Sequence, residues 1–182
     1  MSKAIGLVEY KTVSSGITAA DLMLKTAEVE VIQSDVVCPG KYFTLITGEL
    51  SAVRAAVDAA AERFPGQLID SFVLGNPHES IFRAVWGPTT VENPRALGIL
   101  ETYSVASAIV GADTAAKTAD VTLIELRLAR GMCGKSYLLL TGEVAAVSAA
   151  IEKAKAGAGE DGMFLDSSVI AGPDEKLWQT IL

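Results

Sequence analysis

Apolar residues recur along this chain with two alternating periods, and the whole alternation happens twice. Ile5–Tyr10 is a short apolar run of strand length, and Gly16 breaks the chain before a helix. Across Ile17–Glu28, Ile17, Ala20, Leu24 and Ala27 fall at helical spacing, with Asp21 and Lys25 as an i,i+4 charge pair. Val29–Val37 is β-branched and predicts a strand. Pro39-Gly40 is turn chemistry, and Tyr42–Thr47 is the second strand of the same pair, ended by Gly48. Glu49–Arg63 places Leu50, Val53, Ala56, Val57 and Ala60 on one helix face and stops at Pro65-Gly66. Leu68–Leu74 then reads as a strand closing at Gly75-Asn76-Pro77. The order β-α-β-β-α-β is the split βαβ, or ferredoxin-like, arrangement.

The second half predicts the same series: strand 97–102, helix 109–119, strand 121–129, turn Gly131–Gly134, strand 136–141, helix 143–156 and strand 163–170. Gly157-Ala158-Gly159 reads as a loosened helix end. The likeness extends to identity, since 12 of 26 positions agree without a gap between residues 4–29 and 96–121. Thr47-Gly48-Glu49 returns as Thr141-Gly142-Glu143, and Asp70-Ser71 as Asp166-Ser167. The offset grows from 92 to 94 to 96, so two residues enter twice, where connections lie. A period this long marks a duplicated domain. The fold class expected is α+β, with domains at 1–86 and 96–182 and an extended linker at 87–95.

Composition adds a prediction of assembly. Half the residues are hydrophobic, 20% are charged and the mean hydropathy is +0.37, yet no apolar run is long enough to span a membrane. The surplus apolar surface predicts an obligate oligomer. A net charge of −7 with scattered Lys and Arg offers no basic face for phosphates, which argues against nucleic acid as a partner. Met1-Ser2-Lys3 runs straight into a strand, so the expectation is no signal peptide and a cytoplasmic protein. There, two cysteines do not predict a structural disulfide.

The reactive residues do not spell an enzyme. His78 is the only histidine, with Asp174 at its repeat position, and reads as a surface loop residue. No Ser-His-acid set, phosphate loop or dinucleotide glycine motif is present. Glu9 and Glu101, paired by the repeat, are expected each to cap its own domain's structure. One connection stands out: Cys38-Pro39-Gly40-Lys41 against Met132-Cys133-Gly134-Lys135. Cys38 reads either as a small apolar residue at a strand end or as an exposed thiolate free to bind metal or react.

The patterns Ala4-Ile5-Gly6-Leu7-Val8-Glu9, Ala20–Val29, Gly40-Lys41-Tyr42-Phe43 and Thr47-Gly48-Glu49 resemble the bacterial microcompartment (BMC) shell domain, twice over. A tandem pair is similar to the class in which three chains form a pseudohexameric homotrimer, a structural tile with a central pore. The resemblance implies pore turns made of Cys38, Pro39 and Gly40 from one copy and Met132, Cys133 and Gly134 from the other. Cys38-Pro39-Gly40-Lys41 also resembles the PduT-type subclass of propanediol-utilising compartments. That likeness implies one 4Fe–4S cluster per trimer, held by Cys38 of each subunit, for electron transfer across the shell or cluster exchange. With about four thiolates wanted per cluster and two cysteines per chain, no single subunit could hold it. Cys133 departs from the glycine expected there. Lys25 and Lys117 match the family's tile-edge lysine, although the arginine-bearing edge turn is altered at Gly75–His78 and Ala171–Asp174. The resemblance further implies other shell proteins at the tile edges, an enclosed redox enzyme as a partner, and a place in the microcompartment shell. A metabolite-conducting pore without a cluster, a tandem ferredoxin-like module binding a small ligand, and a small redox enzyme using Cys38 stay open at this stage.

Overall fold

A computed structural model of the chain describes residues 4–87, 89–160 and 162–182. The chain packs into two compact units. The first runs to Pro77 and also takes in Ser104–Ala106 and Ala129–Gly134; the second holds the rest.

The first unit contains β1 (Ala4–Tyr10), α1 (Val13–Thr26), β2 (Val29–Val37), β3 (Lys41–Gly48), α2 (Leu50–Arg63) and β4 (Leu68–Leu74). Its sheet is antiparallel in the order β2-β3-β1-β4, with Leu7 opposite Leu45 on one side and Phe72 on the other. All seven residues of the central strand β1 are buried. Alternation sends Val8 and Tyr10 to the helix-covered face, where they meet Met23, Val53, Ala56, Val57 and Ala60. Gly6 lets α2 come close, since a Cβ there would lie 2.6 Å from Val53 and 2.7 Å from Val57. The buried Tyr10 hydroxyl donates to Ala60 O at 2.5 Å, and burial pushes its pKa up to about 12. Tyr10→Phe is expected to cost about 1 kcal/mol, the worth of one hydrogen bond, read by urea denaturation. An unchanged midpoint would show that the bond adds nothing net.

The second unit contains α3 (Ser80–Trp86), β5 (Ala96–Thr102), most of α4 (Val105–Thr118), β6 (Val121–Arg127), β7 (Ser136–Gly142), α5 (Val144–Glu160), β8 (Phe164–Ile170) and α6 (Glu175–Ile181). The sheet order, β6-β7-β5-β8, repeats that of the first unit. Gly98 faces α5, meeting Val147 and Ile151. On the opposite face Trp178 of α6 joins Leu97, Ile124, Ile99 and Leu139. Among the described residues no helix is long and apolar enough to cross a membrane.

The α+β class and both split βαβ sheets follow the expectation, with five differences in detail. Helix α1 starts at Val13 and runs through Gly16, because the Tyr42 ring occupies the space a Cβ would need. Helix α4 likewise starts at Val105, ahead of residue 109. Strand β6 stops at Arg127, short of residue 129. Helix α5 continues through Gly157-Ala158-Gly159 to Glu160, with Ala158 buried. Two short helices, α3 and α6, follow β4 and β8 where the sequence predicted none. Helix α3 packs on β6, so residues 78–86 belong with the second unit.

Candidate functional site

The first connection, Cys38-Pro39-Gly40, is a three-residue turn between β2 and β3. It is closed by Gly40 N–H donating to Val37 O at 2.9 Å. Gly40 sits at φ +109°, a conformation that favours glycine. Cys38 and Pro39 are exposed, and the peptide between them is cis. Its counterpart is longer, running from residue 128 to 135 between β6 and β7. Ala129 and Cys133 there take φ +57° and +53°, and Gly134 takes +86°. Cys133 is exposed, while Met132 is half-buried.

Within the first unit the two turns meet. A Cβ on Gly134 would lie 2.9 Å from Lys41 Nζ and 3.0 Å from the Cys38 carbonyl oxygen, so the turns are in close contact there, while the left-handed φ is what favours glycine. Lys41 Nζ donates to Gly134 O at 3.4 Å and to Glu9 Oε1 at 3.1 Å. Glu9 is fully buried, and its Oε2 accepts the Val105 N–H at 2.9 Å. Its expected role within its own repeat is therefore corrected: Glu9 caps α4, a helix of the other repeat. Burial pushes the Glu9 pKa above its ordinary 4.5, outweighing the opposing pull of Lys41 and the Val105 amide. Beside it, Ser104 Oγ donates to Asp70 at 2.5 Å. Arg130, on the longer turn, bonds Asp35 at 2.5 Å. Burial works against that carboxylate, yet its hydrogen bonds from Arg130 and Gln33 hold its pKa below the usual range.

The remaining residues singled out from sequence lie elsewhere. Lys25 and Lys117 each pair with the aspartate one turn back, Asp21 and Asp113, at 2.6 Å. The other Asp113 oxygen accepts the His78 N–H at 2.7 Å, while the imidazole lies 2.8 Å from Ser80 Oγ. Among the described residues of one chain, no group of three or more His, Cys, Asp or Glu could hold a metal ion. Sequence reasoning missed the anchor made by Glu9, Lys41 and the Val105 amide. The signal was a glutamate inside an otherwise apolar strand, which has to find donors when buried.

The profile of the BMC domain matches residues 4–77 and again 96–173. The bacterial microcompartment shell protein PduT of Citrobacter freundii is 38% identical over 182 residues, covering 100% of this chain and 99% of that protein. Among solved structures, a microcompartment protein from Desulfitobacterium hafniense superposes with a TM-score of 0.86 at 42% identity, over 98% of this chain and 99% of that one. The fused permuted hexameric shell protein of the RMM microcompartment superposes at 0.68 and 25% identity, covering 87% and 84%.

Proposed function

Because the chain belongs to the bacterial microcompartment domain family, whose members here are structural shell proteins rather than enzymes, we propose that three copies close into a tile with the Cys38 turns around a central pore. The protein is a structural component of a microcompartment shell and takes its place there. The finer reading adds a 4Fe–4S cluster held by Cys38 of three copies. The observation that carries it is the exposed Cys38 thiol at the tip of a turn held from behind by Lys41 and Glu9.

The donor set fits such a group in one way only. A cluster takes about four thiolates, and a single chain brings no three candidate ligands together among its described residues. Three copies supply three Cys38 thiolates, and the fourth ligand comes from outside that set. When bound, the group supplies one-electron chemistry. This chain's own residues hold the thiol in place: Gly40 closes the turn, and Gly134 seats the longer turn against it. Cys133 stands on that second turn as an exposed thiol that the three-Cys38 set does not use.

The test is iron and acid-labile sulfide in the full chain purified without oxygen, beside Cys38→Ser. About four irons per three chains, lost in the variant, is the expected result. No iron in either protein after anaerobic reconstitution would overturn the cluster and leave a tile whose pore passes metabolites.

A further inference from the structure

We infer that Cys38 and Cys133 of one chain form a reversible disulfide, a redox-sensitive bond that ties the two turns together and withdraws Cys38 from any metal. The pairing needs only a single chain and goes beyond the tile reading; its bearing on a cluster rests on that reading.

The chain's only two cysteines both fall on turns that touch. Contacts hold those turns together on either side of the cysteines. On one side Arg130 bonds Asp35 at 2.5 Å, and on the other Lys41 Nζ donates to Gly134 O at 3.4 Å. Cys38 lies between Asp35 and Lys41, and Cys133 between Arg130 and Gly134. The second clip is itself fixed, because the buried Glu9 holds Lys41 at 3.1 Å. Packing agrees: Ala129–Gly134 belongs to the first compact unit, although β6 and β7, the strands it joins, belong to the second.

The spacing suits a bond between the sulfurs. The Cys38 carbonyl oxygen is 3.0 Å from a Cβ placed on Gly134. By standard bond lengths the Cα atoms of those two residues are then within about 7 Å of each other. Cys133 is the next residue back, one Cα step of about 3.8 Å. A disulfide joins Cα atoms roughly 4.4 to 6.8 Å apart, a separation within reach of two exposed turns clipped in this way. Both thiols are free and exposed, so an oxidant has access to either.

The step is thiol–disulfide exchange with a small disulfide of the glutathione type. One cysteine thiolate attacks a sulfur of the oxidant and expels a thiolate, leaving a mixed disulfide on the protein. The other cysteine then attacks the protein sulfur of that mixed disulfide and expels the second thiolate. Two cysteine thiols are oxidised to one S–S bond, the oxidant is reduced to two thiols, and the cysteine protons pass to those leaving groups. Exposed disulfides are the labile, regulatory ones, so this pair differs from the structural disulfide that the sequence argues against. While the bond stands, three copies present no Cys38 thiolate to a cluster; reduction returns all three.

The test equilibrates the full chain, free of metal, with mixtures of reduced and oxidised glutathione. Free thiols are then alkylated in denaturant, and intact mass and linked peptides are read. Toward the oxidising end the native chain should lose two hydrogens and both alkyl adducts while keeping the mass of a single chain. Its Cys38 and Cys133 peptides should be linked, and dithiothreitol should restore both adducts. Cys38→Ser and Cys133→Ser should each take up one glutathione instead. A native chain that carries two glutathiones, or keeps both adducts throughout, overturns the pair. Linked species of twice the chain mass overturn it in favour of a bond between copies. Iron uptake by the reduced chain is read separately: an intrachain bond without iron uptake removes the cluster and leaves the pair, and iron uptake without the bond does the reverse.

Discussion

Glu9→Ala is expected to destabilise the first unit by about 3 kcal/mol, the low end of the range for removing one partner of a buried ion pair. The carboxylate has no exposure and holds Lys41 Nζ with one oxygen and the Val105 N–H with the other. Its loss leaves the α4 amide without its cap and Lys41 with only the Gly134 carbonyl among these contacts. Lys41 keeps partial access to water, which is why the low end applies. Urea denaturation of the native chain and the variant measures the difference; a loss under about 1 kcal/mol, the worth of an ordinary hydrogen bond, would mean that the anchor is not structural. Glu9→Gln separates charge from shape. Since burial raises the Glu9 pKa above 4.5, the native state holds this proton more tightly than the unfolded chain. Its contribution is complete below pH 4.5 and is lost as pH rises through the raised value. The stability of the native chain relative to Glu9→Gln should therefore decline from acid toward neutral pH. A relative stability that grows with pH would show the Lys41 attraction outweighing burial.

Gly16→Ala carries the second large effect, a net loss of about 2 kcal/mol. Alanine gains about 1 kcal/mol over glycine in a helix interior, so the clash has to exceed that. It does, because the new Cβ would sit 2.4 Å from Tyr42 Cβ, an atom fixed by the backbone of β3, and 2.6 Å from the ring. The second repeat solves the same crossing the other way, with Ala108 on the helix and Ser136 on the strand. Tyr42→Ser alone forfeits ring packing and the hydrogen bond between the Tyr42 hydroxyl and Ser34 Oγ at 3.0 Å. Combined with Gly16→Ala it reproduces the other repeat's pairing. Serine keeps the Cβ and removes only the ring, so a double-mutant cycle should return a favourable coupling of about 1 kcal/mol, the ring's share of the clash. Strictly additive costs would mean that the contact with the Tyr42 Cβ, which serine retains, accounts for the whole clash. Ser136 has its own burden, since its buried hydroxyl finds no partner among the described residues.

The sheets were legible because their signals are local. Alternation and β-branching marked each strand, and the repeat doubled the reading: Leu68–Leu74 is predicted to the residue. Helix starts were not, because Gly16 looked like a breaker until Tyr42, 26 residues later, explained it. Helices α3 and α6 are each seven residues long and too short for a helical period to emerge. Pro173-Asp174 did carry a usable cue, since Asp174 caps α6 by accepting the Lys176 N–H. At the site, the turns and their cysteines could be read from Pro-Gly and Gly-Lys pairs. That the two turns touch, and that Glu9 reaches Val105, depends on packing between residues 96 positions apart, which no local pattern encodes.

The Glu9 bond to Val105 joins two parts of a single polypeptide, so it forms at an effective concentration on the order of millimolar however dilute the protein. A duplicated chain therefore carries this joint with it at any dilution, whereas whatever contacts it makes with separate chains obey mass action.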